Sequence, residues 1–335
     1  MKVLYDPIIY KLQANGGISR YFTELCMLND KIDIDFSPNH ILDNLSFIPP
    51  IFSLFRHPII PQNTKYNIFH SSYYRTITDF SINQVLTIHD FAHERGYCGY
   101  FGKLKHALYL KRMAIHRSKK IICISKFAKK EFHYFYPDFP RDDVSVVYNG
   151  LSNIFTKLHT PYSAYDFPFV LFVGSRVSYK NFKLAVESVE KWGVGSLIIV
   201  GGGPLSTSEL SLLNNLLTNN RFVHIRHVND FQLAQLYAGA TALLYLSSYE
   251  GFGIPVIEAF SQGCPVISIN CDAIIEISSG LVLVAQPNPN SISDLIDYCL
   301  SSSFEISRNT LVSHANSFSW DKTRLDTLRV YEACL

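Results

Sequence analysis

The sequence predicts an α/β fold: two doubly wound, Rossmann-like parallel-sheet domains facing each other, with a C-terminal helix crossing back. Three observations carry this expectation. The chain has 335 residues, more than one hydrophobic core usually serves, which suggests two domains of about 150 residues each. Short apolar runs rich in β-branched residues alternate with longer amphipathic stretches, the pattern of parallel strands covered by helices on both faces. Two such blocks are separated by a polar stretch around residues 149–166 that includes Pro161.

In chain order, Val3–Tyr5, Gln84–Ile88, Lys120–Ile124 and Val144–Tyr148 read as buried strands of the first block. Phe169–Val173, Leu197–Val200, Phe222–Ile225, Ala242–Leu246 and Pro265–Ile269 do so in the second. Helical periodicity appears over Ser19–Leu28, Lys103–Arg117, Lys126–Phe135, Phe182–Lys191, Ser206–Leu217, Asp230–Tyr237 and Val256–Gln262. Trp320–Ala333 reads as a last amphipathic helix that packs back across the junction. The expected domains are residues 1–150, 151–318, and 319–335 as the returning helix.

Composition narrows the function. Apolar residues make up 47% and charged residues 17%, which fits a globular protein and excludes a disordered one. The seven cysteines show no CxxC spacing, so neither a disulfide framework nor a zinc site is expected, and a reducing cytoplasm is. Asp6 and Lys11 interrupt the N-terminal apolar run, which does not read as a signal peptide, and no run approaches the roughly 20 residues of a membrane span. The net charge of +2 conceals an imbalance: residues 1–150 hold 19 Lys/Arg against 13 Asp/Glu, and residues 151–335 hold 11 against 15. Residues 103–130 carry ten cations and no acid. No RNA or DNA motif accompanies them, so no nucleic-acid partner is expected.

The chemistry should sit at the carboxyl ends of strands. The sharpest signal is Glu250-Gly-Phe-Gly-Ile-Pro-Val-Ile-Glu258, which follows the strand Ala242–Leu246 and leads into a helix with Pro255 in its first turn. Gly251 and Gly253 allow close backbone approach, and the helix start offers N–H groups to an anion. Carboxylates on either side of a phosphate-friendly loop suit hydroxyls, so the ligand these residues describe is a sugar nucleotide.

With this Glu-x7-Glu motif the chain resembles family four of the retaining GT-B glycosyltransferases, over nearly its whole length. The resemblance implies that Glu250 contacts the donor sugar, that Glu258 binds the ribose, and that the backbone of Gly251, Phe252, Gly253 and Ile254 meets sugar and diphosphate. It places Gly16 and Gly17, in the loop after the first strand, beside the donor diphosphate. In Gly174-Ser-Arg-Val-Ser-Tyr-Lys-Asn181, Lys180 holds the family's spacing from the glycine, whereas Arg176 lies one residue later than the usual arginine. Both are expected to neutralise the leaving diphosphate. His89, with Asp90, ends a strand and matches the family's His-Asp pair facing the donor sugar. His70 and Ser125 match further strand-end positions, and Gly202 belongs to a glycine loop beside the nucleotide base.

Asp33-Ile-Asp35 superficially matches a metal motif of another glycosyltransferase fold, but its alternation reads as a strand edge facing solvent. No metal and no cofactor is expected, because a front-side route lets the leaving phosphate take the acceptor's proton.

On a helix, Lys105, Tyr109, Arg112 and His116 fall on one face, basic and aromatic, with Tyr97-Cys-Gly-Tyr-Phe101 upstream. Such a face suits an anionic membrane surface. The expectation is therefore a peripheral, cytoplasmic hexosyltransferase. It would move a sugar, mannose before others, from a nucleotide sugar to a lipid-linked oligosaccharide acceptor of bacterial surface polysaccharide. The alternatives are a nucleotide-sugar epimerase of the same fold and a non-catalytic sugar-nucleotide binder.

Overall fold

The computed structural model describes residues 1–13, 16–30, 32–36, 65–97, 101–162, 165, 167–217 and 221–335. Cys98, Gly99 and Tyr100, and the side chains of residues 101–104 with Lys103, lie outside the described residues.

The chain forms two compact units, Met1–Gly150 with Trp320–Leu335, and Leu151–Ser319. The first contains a six-stranded sheet of order β2-β1-β3-β4-β5-β6. Its strands are β1 (Lys2–Tyr5), β2 (Asp33–Phe36), β3 (Ile68–Ser71), β4 (Asn83–Ile88), β5 (Lys120–Cys123) and β6 (Val144–Val146). Each of its pairings is parallel. Every residue of β3 and nearly every residue of β4 is buried, as expected of a sheet covered on both faces. The helices of this unit are α1 (Ile8–Leu12), α2 (Gly17–Leu25), α3 (Phe101–Arg117), α4 (Lys126–Phe135) and the returning helix Trp320–Glu332.

The second unit holds a six-stranded parallel sheet of order β12-β11-β10-β7-β8-β9. Its strands are β7 (Phe169–Val173), β8 (Ser196–Val200), β9 (Phe222–Ile225), β10 (Ala242–Tyr245), β11 (Val266–Ile269) and β12 (Leu283–Ala285). Helices α5 (Phe182–Trp192), α6 (Thr207–Leu216), α7 (Asp230–Gly239), α8 (Ile254–Ser261), α9 (Asp272–Ser278), α10 (Pro289–Leu300) and α11 (Arg308–Ala315) cover it. Polar caps fix several starts: Ser206 with Glu209 and Asn229 with Gln232 form reciprocal capping boxes. The strand order reverses between β7 and β10, the crevice where doubly wound sheets bind ligands.

The returning helix, here α12, belongs to the first unit. The buried phenol of Tyr331 meets the His70 imidazole at 2.6 Å, and Thr323 donates to the Tyr148 carbonyl at 2.7 Å. Strand β12 and helices α9, α10 and α11 are elements for which the sequence raised no expectation. Their apolar residues are too few or too closely spaced with Ser, Asn and Asp to stand out locally.

Candidate functional site

At the reversal point of the second unit, the loop after β7 and the loop after β10 bring Lys180 and Glu250 into direct ion pairing. Their side chains are only 15% and 13% exposed. Lys180 Nζ also lies 3.5 Å from the Tyr245 hydroxyl and 5.2 Å from the centre of its ring. Burial and then the Glu250 carboxylate push the Tyr245 phenol well above its ordinary range, so it remains a neutral hydroxyl. The turn that carries Lys180 is pinned by Asn181, in the left-handed region at φ 53°, whose amide donates to the Leu246 carbonyl and to Ser248 Oγ, each at 2.8 Å. Asn181 and Tyr245 were not singled out from the sequence. The signal was available, since Asn tolerates φ > 0 and directly follows the lysine.

Gly253 (φ 113°) starts α8, and a Cβ there would lie 2.5 Å from Ile274 Cδ1. The site therefore demands glycine, and the first turn of α8, from Ile254, begins beside the ion pair. The Phe252 side chain is buried edge-on against Phe318 at 5.9 Å, between the buried Gly251 and Gly253. Glu258 is buried one turn further along α8, with Tyr237 donating to it at 3.4 Å.

Arg176 is held by partners within the second unit. Its Nε pairs with Glu209 at 2.8 Å, and its Nη atoms donate to the carbonyls of Gly201, Gly203 and Pro204 at 3.0, 3.2 and 2.8 Å. With its side chain 4% exposed and its donors so engaged, it holds the glycine loop in shape. Gly202 (φ 75°) sits directly on that guanidinium, 2.4 Å from where a Cβ would lie, so the loop and the arginine are one built unit.

In the first unit, His89 directly follows β4. It meets the Tyr21 ring edge-on at 5.3 Å, and its Nε2 is closed off from solvent with no hydrogen-bond partner. Burial lowers its pKa to about 4, with Asp90 opposing and Lys111 adding to the shift, so the imidazole is neutral near pH 7. Asp90 accepts from the Ala92 amide at 3.0 Å, tightening the same turn. Gly16 caps α2, its N–H donating to Ser19 Oγ at 3.0 Å, and the exposed Gly17 opens the helix.

Two further residues singled out from the sequence are buried and engaged within the first unit. His70 lies within β3 rather than in a loop, fully buried, its ring nitrogens held by Tyr331 and by Thr87 at 2.8 Å. Burial lowers its pKa to about 3. Ser125, also fully buried, accepts from the Ala128 amide at 2.9 Å as the N-cap of α4. Both are structural.

Several cations of the basic stretch have partners within the first unit. Lys111 is buried against Glu94 at 2.8 Å. Arg117, Lys119 and Lys129 donate to backbone carbonyls, and Lys120 pairs with Asp143 at 2.7 Å. Lys105, Tyr109, Arg112 and His116 do form one exposed row. Asp33 and Asp35 both pair with Lys2 on the edge strand β2, as its alternation suggested. Among the described residues no three His, Cys, Asp or Glu side chains are grouped as a metal site would need, and no helix is long and apolar enough to cross a membrane.

Two doubly wound parallel sheets, one with a Lys–Glu pair and a glycine-started helix at its reversal point, define the GT-B class of glycosyltransferase. The comparisons agree. Residues 29–152 match the family model described as Glycosyltransferase Family 4, and residues 159–317 match Glycosyl transferases group 1. The chain belongs to the GT-B glycosyltransferases of the family 4 type. It is 27% identical over 267 residues to an uncharacterized glycosyltransferase of Methanocaldococcus jannaschii, covering 72% of this chain and 67% of that protein. It is 36% identical over 112 residues to O-antigen chain mannosyltransferase B of Escherichia coli, covering 32% of this chain and 29% of that protein. The chain thus spans about two thirds of one relative and under a third of the other. The solved structure of Anabaena HepE in complex with UDP-glucose shares the fold, with a TM-score of 0.74 at 14% identity over 99% of this chain and 100% of that one.

Proposed function

We propose that the protein is a retaining hexosyltransferase. It takes its sugar, mannose in preference, from a nucleotide sugar and gives it to a hydroxyl of a lipid-linked oligosaccharide in bacterial surface polysaccharide synthesis. It would work at the cytoplasmic face of the membrane. The Lys180–Glu250 pair at the reversal point carries this reading.

A donor arriving there exchanges the pair's mutual contact for its own: Glu250 accepts from sugar hydroxyls, and Lys180 with the N–H groups opening α8 meets the diphosphate. Glu258 takes the ribose hydroxyls. As the bond from the anomeric carbon to the phosphate oxygen breaks, Lys180 and the helix start hold the growing negative charge. The acceptor hydroxyl bonds to the same carbon from the same face and gives its proton to the departing phosphate oxygen, which produces retention. His89, neutral at pH 7, serves the sugar as a hydrogen-bonding group rather than as a charge. Arg176 positions the Gly202 loop beside the base.

Mannose is favoured by the mannosyltransferase relative, and a nucleotide sugar by the UDP-glucose of HepE. The relatives' names favour no epimerase. Thermal-shift titration against a panel of nucleotide sugars tests the reading: GDP-mannose should raise the melting temperature most, since a ligand at 100 times its Kd stabilises by about 2.7 kcal/mol. A panel with no stabilising member, or release of an isomerised sugar without acceptor, would overturn it.

A further inference from the structure

The first unit holds a cavity of about 610 Å3 between α3 and the segment that follows α4. That volume falls within the range of about 300–1,000 Å3 typical of small-molecule sites. Ile115, Phe135, Tyr136 and Phe139 line its interior, with Pro137 and Pro140 stiffening the backbone. The aromatic wall is held from behind: Phe135 stacks on Phe91 at 5.3 Å, and Tyr136 on Phe132 at 5.4 Å. Glu94 also borders the cavity, but its carboxylate is paired with the buried Lys111 at 2.8 Å, so it presents no uncompensated charge.

Arg112 and His116, one helical turn apart, line the cavity from the exposed row of α3. Lys111, Arg117, Lys119, Lys120 and Lys129 are engaged by carbonyls or acids, whereas Arg112 and His116 make no ion pair or hydrogen bond among the described residues. Asp138 is the exposed acid on the opposite lip. A chamber with an apolar wall and an unengaged guanidinium beside an imidazole fits an amphiphile with one apolar tail and a phosphate head. A single half-open chamber of this volume takes one chain, while a two-chain phospholipid would leave its second chain in water.

We infer that this cavity binds the phosphate-proximal end of an isoprenoid phosphate. The branched chain lies against Ile115, Phe135, Tyr136 and Phe139, and the phosphate bridges Arg112 and His116. The inference rests on reading the acceptor as lipid-linked and assigns the part of the protein that holds the lipid. Titration calorimetry of the full chain with farnesyl phosphate below its micellar concentration tests it. Binding should weaken at least tenfold in Arg112→Glu, recover substantially in Arg112→Lys, and weaken at least tenfold for farnesol or inorganic phosphate alone.

An unchanged thermal shift with the nucleotide sugar shows that Arg112→Glu is folded. Equal binding of farnesyl phosphate by Arg112→Glu overturns the inference. So does attachment to phosphatidylglycerol vesicles that farnesyl phosphate does not displace, which assigns the face to bulk membrane. Loss of donor binding by the unaltered protein counts against the transferase reading, not against the lipid cavity.

Discussion

Each unit places a cation–carboxylate pair where its strand order reverses, and the two pairs differ in how they are closed. In the first unit the reversal lies between β1 and β3, and Asp6 and Arg75 from the loops after those strands meet at 3.2 Å. Their side chains are 0% and 7% exposed. Asp6 also accepts from the Ile8 amide at 3.1 Å, which ties the pair into the turn that starts α1. Burial pushes the Asp6 carboxyl above its ordinary range, against the opposing pull of Arg75. In the second unit Lys180 and Glu250 keep some contact with solvent, lie beside a glycine-started helix, and are carried on glycine-bearing loops. The same topology thus yields a sealed structural pair in one unit and an exchangeable pair in the other. A buried charge left without its partner threatens the fold, whereas a partly open pair can trade partners with a ligand.

This contrast can be broken by experiment. Arg75→Met, which strands the Asp6 charge, should lower the unfolding free energy by about 3–5 kcal/mol in denaturant titration. A change below about 1 kcal/mol would mean that the pair is not sealed in solution. Lys180→Ala should leave the denaturation midpoint close to that of the unaltered protein and lower the transfer rate about 10²–10³-fold, or about 2.7–4 kcal/mol in barrier. Rates unchanged in both Lys180→Ala and Glu250→Ala would remove the site from the second unit.

The smallest effect concerns His70. Its folded pKa, lowered to about 3, lies below the unfolded value of 6.5, so the unfolded chain takes up a proton first as the pH falls. Its contribution is fully present above pH 6.5 and is lost below it, at up to about 1.4 kcal/mol per pH unit. His89 adds a slope of the same sign down to about pH 4. Denaturation at pH 7 and pH 5 should therefore show a flatter pH dependence in His70→Gln than in the unaltered protein. Equal slopes would show that His70 is not buried as a neutral ring.

Most of the fold was legible locally. Strands such as Phe169–Val173 are unbroken apolar runs because both faces of a parallel sheet are buried. Helix starts carried Ser, Asn or Pro where a cap was needed. The candidate site was legible where special residues stand at a strand end: the motifs that contain Lys180, Glu250 and Gly253 do meet at the reversal point of the second unit. What no window of sequence showed is the structural use of the same residue types: Ser125 as a cap, His70 as a buried bridge to Tyr331, and Arg176 as the clasp of a carbonyl-rich loop.

The sequence by itself determined the class of fold, the positions of most strands, and the motifs that gather at the reversal point of the second unit. Periodicity, caps and glycine positions are local properties that can be read in a short window. Only the tertiary structure decided which of those polar groups remain available. Whether an imidazole or a guanidinium is available or already engaged depends on partners such as Tyr331, 261 residues from His70, and no local window contains them.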